Sequence, residues 1–97
     1  MNQTAVWVKL ISDNKVIRQD MEPCEYKNAA EALNTLCERM DISRPLWLAK
    51  NNREWHVFFR TRFNPDQFLD TVTFDRMEME WINPSMPKKR NGDPRNA

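Results

Sequence analysis

The one histidine of this 97-residue sequence, His56, is its only candidate for acid–base work near neutral pH, and it stands in Asn51-Asn52-Arg53-Glu54-Trp55-His56 with Arg60 close behind. Together with Glu54 and Arg60 it makes a minimal nuclease-like set. It has no second base or metal partner nearby in sequence, which favours a half-buried histidine beside an aromatic cluster over a catalyst. Carboxylates are dense at Asp66, Asp70, Asp75, Glu78 and Glu80. Two strand positions apart, Glu78 and Glu80 share a face at about 6–7 Å between Cα atoms, a spacing that suits Mg²⁺ binding or glycoside chemistry. The solvated side of a strand explains the pair more simply.

Basic and aromatic residues interleave between Arg44 and Arg62. Arg44, Lys50, Arg53, Arg60 and Arg62 face one acid, Glu54, and Trp47, Trp55, Phe58 and Phe59 lie among them. Single-stranded RNA or DNA is bound with such sets, cations on phosphates and rings on bases. The whole chain argues the other way: 15 Lys and Arg against 14 Asp and Glu give a net charge of +1, far from a phosphate-driven footprint. The aromatic spacing also fits a helix that buries its rings. A third possibility is a protein-binding surface made of Trp7, Ile11, Val16 and Trp47, the large apolar residues a domain this small can least easily hide.

Other chemistries are excluded by composition. The single glycine, Gly92, lies near the end of a polar segment, so no glycine-rich phosphate loop exists. Cys24 and Cys37 form no CxxC and lack the ligands of a zinc site, so the expectation is two free thiols, no metal and no cofactor. No apolar stretch approaches the roughly 20 residues of a membrane span, and no signal-like segment follows Met1. A cytoplasmic protein is expected.

The elements that must position these groups follow from periodicity. Val6, Val8 and Leu10 alternate with Trp7, Lys9 and Ile11, and Asp13-Asn14 can turn a hairpin spanning 5–22. Centred there, Leu10 pairs with Ile17, Val8 with Gln19 and Val6 with Met21. On the other face Ile11 pairs with Val16, Lys9 with Arg18 and Trp7 with Asp20. The Lys9–Arg18 opposition is unfavourable and counts against this register. Asn28 as cap and Glu31 as its partner open a helix over 29–40 with Leu33, Leu36, Cys37 and Met40 on one face, and Pro45 forbids its continuation.

Leu46-Trp47-Leu48 reads as extended, Asn51 or Asn52 as the start of a brief helical turn, and Asn64-Pro65-Asp66-Gln67 as a one-turn helix. Thr71-Val72-Thr73 returns to strand, and Met77, Met79 and Trp81 alternate in a last strand. Val72 and Phe74 are out of phase with that strand, which predicts a bulge near Asp75. The expectation is one α+β domain over 1–82: an antiparallel sheet, made of the N-terminal hairpin and the C-terminal strand, packed against one main helix with short helical turns between. A disordered cationic tail follows over 83–97, with Lys88, Lys89, Arg90 and Arg95 against Asp93.

Three segments, Asp41-Ile42-Ser43-Arg44-Pro45-Leu46-Trp47-Leu48, Thr61-Arg62-Phe63 with Pro65-Asp66-Gln67-Phe68, and Phe74-Asp75-Arg76-Met77-Glu78-Met79-Glu80, resemble a family of small proteins of clostridial-type Gram-positive bacteria. The resemblance spans residues 4–84 and implies a bacterial cytoplasmic protein carried on mobile elements. It brings no activity and no functional residue with it. The favoured function is a non-enzymatic binding or regulatory protein acting through a protein partner, in concrete form an inhibitor of a host enzyme or defence complex. The alternatives are a nucleic-acid-binding accessory protein and a small nuclease or toxin. The sequence leaves the partner and the oligomeric state open.

Overall fold

The protein is described here by a computed structural model covering residues 3–84. From Met77 on, the expected phase of alternation holds, but the described residues build four strands, one more than expected. These are β1 (Ala5–Ser12), β2 (Lys15–Pro23), β3 (Arg60–Phe63) and β4 (Arg76–Ile82), with helices α1 (Ala29–Arg39) and α2 (Ala49–Phe58) and single 3-10 turns at Tyr26–Asn28 and Pro65–Gln67. All pairings are antiparallel, and the spatial order is β2-β1-β4-β3. The fold is α+β, with the sheet packed on its helices. The part of the expected tail from residue 85 onward lies outside the described residues.

Asp13 and Asn14 turn the hairpin with φ of 54° and 63°, the positive values a type I′ loop demands. The expected register holds only beside that turn, where Ile11 faces Val16. A bulge then inserts Ile17, so Leu10 faces Arg18, Lys9 faces Gln19, Val8 faces Asp20, Trp7 faces Met21 and Val6 faces Glu22. A one-residue slip moves every side chain of a strand to the other face. Gln19 and Met21 therefore join Trp7 and Lys9, while Arg18, Asp20 and Glu22 turn to the helix side. The slip removes the Lys9–Arg18 opposition and gives the acids a partner: Arg39 of α1 bonds both Asp20 (2.9 Å) and Glu22.

Helix α1 lays Ala32, Leu33, Leu36 and Cys37, followed by Met40, against Val6, Val8 and Leu10, all buried. Asn28 does not cap it: its φ of −102° and ψ of 16° continue the preceding 3-10 turn, and its side chain makes no capping bond. The helix ends before Pro45 can act. Asp41 turns left-handed at φ 58°, Asp41 N–H bonds Glu38 O (3.1 Å) and Ile42 N–H bonds Cys37 O (3.0 Å), a Schellman arrangement that satisfies the last carbonyls.

The brief turn expected near residue 51 is a ten-residue helix. Its end is abrupt. Phe59 adopts φ 60°, at a cost of roughly 1–2 kcal/mol for a residue with a Cβ, and the chain reverses directly into β3. Phe59 N–H bonds Trp55 O (3.0 Å), Phe59 O accepts from Trp81 N–H (2.8 Å) and its ring meets Tyr26 edge-on at 5.8 Å. In β3, Thr61 and Phe63 point inward beside Met79 and Met77.

Residues 71–73 form no strand, and the bulge lies in β2 instead of at Asp75. Asp75 ties the loop to the hairpin: its N–H bonds Ile11 O (2.7 Å) and its carboxylate accepts Asp13 N–H (2.9 Å). Phe68 and Phe74 pack edge-to-face behind it at 5.3 Å. Trp55, Phe63 and Phe68 join the core formed by β1, β4 and α1, so residues 46–69 pack on the helix side and do not cover the opposite face.

Candidate functional site

Between α1 and residues 43–47 lies an open groove of about 630 Å³ lined by Ala30, Leu33, Pro45, Leu46, Trp47 and Leu69, with Asn34, Ser43 and Arg44 at its polar margin. Three adjacent apolar residues in an extended segment cannot all turn inward, and that is what Leu46-Trp47-Leu48 faces. The segment is pinned to the Pro65–Gln67 turn: Leu46 N–H bonds Gln67 O (2.7 Å) and Gln67 Nε2 bonds Leu46 O (3.1 Å). Trp47 rests one ring edge on Trp55 (6.1 Å) and Phe63 (5.7 Å), and its indole N–H reaches Asn52 Oδ1 (3.3 Å). Leu46, Trp47 and Leu48 stay exposed, and Leu69 is 82% exposed. Ser43 Oγ, at the groove margin, is buried without a hydrogen-bond partner.

The groove wall is fixed from behind by a buried polar cluster. Asn51, fully buried, accepts Leu48 N–H (3.0 Å) and Gln67 Nε2 (3.0 Å) on Oδ1, and its Nδ2 donates to Thr61 Oγ1 (2.8 Å) and Arg62 O (3.0 Å). Thr61 Oγ1 in turn donates to Glu54 (2.6 Å). The bond from Leu48 N–H to Asn51 is the cap that starts α2, a role leucine's own side chain cannot fill. Each amide atom of Asn51 is satisfied, which is the condition for burying one.

Of the candidate protein-binding residues, Trp7, Ile11 and Val16 share the sheet face away from the helices, and Trp47 does not. Trp7 is half-buried on the sheet face away from the helices, where it donates to Gln19 Oε1 (3.0 Å) and lies under Lys9 Nζ at 4.4 Å from its ring centre. Ile11 is only 5% exposed, contrary to expectation: it sits on a central strand, between neighbours on β2 and β4. Val16 is exposed at the hairpin end, and Trp47 is across the sheet at the groove.

The cationic run is likewise divided. Arg60 and Arg62 lie opposite Glu80 and Glu78 across β3 and β4. Lys50 Nζ reaches Arg62 O (3.5 Å), Arg53 is exposed on α2, and Arg44 is at the groove margin. A second hollow of about 400 Å³ at β3 mixes Lys9, Arg60 and Arg62 with Glu54, Glu78 and Glu80, so the cations meet acids there.

His56 Nδ1 is 2.9 Å from Tyr26 Oη, whose ring stacks near Trp55. Two residues apart on a helix do not face each other, so Glu54 turns to Thr61 while His56 turns to Tyr26. Glu78 is engaged by Arg76 (2.9 Å) and Lys9 (3.6 Å), and the Arg76 hydrogen bond, followed by the Lys9 charge, holds its carboxyl below the ordinary value. Among the described residues no group of three or more His, Cys, Asp or Glu could hold a metal, and no helix is long and apolar enough to cross a membrane. Cys24 and Cys37 are free thiols; burial pushes Cys37 up to about 11.

The fold and groove define a small α+β domain with a four-stranded sheet and an apolar hollow beside its first helix. Comparison with protein-family models, with curated proteins and with solved structures finds no match.

Proposed function

We propose that this chain is a small non-enzymatic binding module that acts through a protein partner, and that the groove between α1 and residues 43–47 receives an apolar side chain from that partner. One observation carries the reading: Leu46, Trp47 and Leu69 are all exposed around a single hollow. Covering apolar surface yields about 25 cal/mol per Å², and contiguous exposed apolar residues with a polar margin have the composition of an interface. Pinning by Asn51 and Gln67 means the groove wall is already ordered before a partner arrives, which lowers the entropic cost of binding. A cytoplasmic setting accords with the two free thiols. A mobile-element origin, with a host enzyme or defence complex as the partner, extends the same proposal and rests on the family resemblance alone.

The test is a displayed-peptide selection on the immobilised protein, with the Leu69→Glu protein as counter-target. Selected peptides carry a large apolar side chain, and lose at least about tenfold in affinity, roughly 1.4 kcal/mol, on Leu69→Glu and Trp47→Ala proteins that remain folded. Peptides that bind both variants as they bind the parent would place the binding surface elsewhere and end this reading.

A further inference from the structure

We propose that β2 is a self-pairing edge: two copies join antiparallel through β2 about a two-fold axis at Gln19, making one continuous eight-stranded sheet. An unpaired edge invites another strand, and proteins blunt such edges by shortness, charge, proline or a bulge. The edge at β3 is blunted, being four residues long with Arg60 and Arg62 pointing outward. The edge at β2 carries a bulge, four charged residues and a terminal Pro23, yet it is nine residues long and exposes Val16, Ile17 and Met21 at 46%, 49% and 46%.

What specifies a second copy is the order of residues in β2, Lys15-Val16-Ile17-Arg18-Gln19-Asp20-Met21-Glu22-Pro23. Directly opposed residues of an antiparallel pair lie on one face, so a two-fold axis normal to the sheet must pass through a position where a residue meets its own copy. At Gln19, the midpoint of the strand, Arg18 meets Asp20 of the second copy twice. Moving the axis to Arg18 sets Arg18 against Arg18, and moving it to Asp20 sets Asp20 against Asp20. Charge therefore favours Gln19 over both neighbouring positions, and that register is centred on the strand.

The charges are already ordered at the edge. Arg18 Nη1 is held by Met40 O (3.0 Å), and Arg39 holds Asp20 (2.9 Å). Pairing then continues an alternating row of Arg39, Asp20 and the second copy's Arg18 along the helix side. The bulge at Ile17 lies outside the central Arg18–Asp20 triplet, which pairs regularly with β1. It bends the ends of the interface and leaves its centre straight.

Sedimentation equilibrium on the full chain, from about 10 µM to about 1 mM, reads the mass. The expected result is a rise from the 11.7 kDa monomer toward twice that mass. Arg18→Asp and Asp20→Arg each weaken the dimer at least about tenfold, and a 1:1 mixture of the two proteins regains it, because each then supplies the charge the other opposes. Recovery in the mixture also shows that both variants fold. A monomer at every concentration, single variants that dimerise like the parent, or a mixture that stays monomeric would each overturn the proposal.

Discussion

Beneath β1 the sheet rests on Leu33, Leu36, Cys37 and Met40, packed apolar against apolar. At β3 the support is polar: Gln67, Asn51, the strand's own Thr61 and Glu54 are bonded one to the next. The two supports respond differently to damage. Trimming an apolar side chain leaves neighbours that partly relax into the space. Removing one amide from the polar cluster leaves several buried groups without partners at once, each keeping its full desolvation cost.

The largest effect is expected from Leu36→Ala, about 3 kcal/mol of global stability within the 2–5 found for buried leucines, read from urea unfolding. Asn51→Leu is expected to cost about 2–3 kcal/mol, because the amide of Gln67 and the N–H of Leu48 lose their acceptor. Its amide exchange should rise in α2 and β3 and stay low in β1. Equal rises across the whole sheet would erase the distinction between the two halves. Thiol labelling sharpens it further. With its pKa pushed up to about 11 by burial, Cys37 should react far more slowly than half-buried Cys24 in the parent. Its labelling should accelerate in Leu36→Ala and stay slow in Asn51→Leu.

The smallest effect is expected on the sheet face that neither support touches. The Glu78 carboxyl is held low by Arg76 first and Lys9 next, so its contribution is present above its ordinary value of 4.5 and fades as pH falls through the depressed one. The groups are partly exposed, which limits Glu78→Gln to a few tenths of a kcal/mol at pH 7. That difference should be smaller at pH 3. Urea midpoints at the two pH values check it. Acid sensitivity of the Glu78→Gln protein should persist through Asp20, whose carboxyl is lowered by Met21 N–H and then Arg39.

The apolar half was legible because burial leaves a period: Val6-Val8-Leu10 and Leu33-Leu36-Cys37 announce a strand and a helix. Asp13-Asn14 also marked its turn correctly. The bulge at Ile17 was not legible, since nothing in the hairpin's own residues distinguishes the two registers except the opposition of Lys9 and Arg18. Strand β3 escaped notice because Arg60-Thr61-Arg62-Phe63 is four residues long and half cationic, too short for a period. Helix α2 was underestimated because its buried face is Asn51 and Trp55, and an asparagine does not register as core. At the groove, Trp47 and its extended neighbours were visible in sequence, but the exposure of Leu69 is set by how Phe68 packs on Phe74. The basic run misled in the same way: adjacency along the chain says nothing about Glu78 and Glu80 arriving from β4.

The strand order has a temporal meaning as well. During synthesis β1, β2 and α1 can assemble early, yet β3 has no neighbour in the sheet except β4, the last strand to be made. The ladders Ala5–Ile82 and Phe63–Met77 therefore wait on the same segment. Joining the first strand to the last closes a loop spanning nearly the whole domain, the arrangement that slows folding. A nascent chain stalled before Met77 holds its arginine-edged strand unpaired and its hairpin open on one side. The described sheet is complete only once the seven residues Arg76–Ile82 have been made.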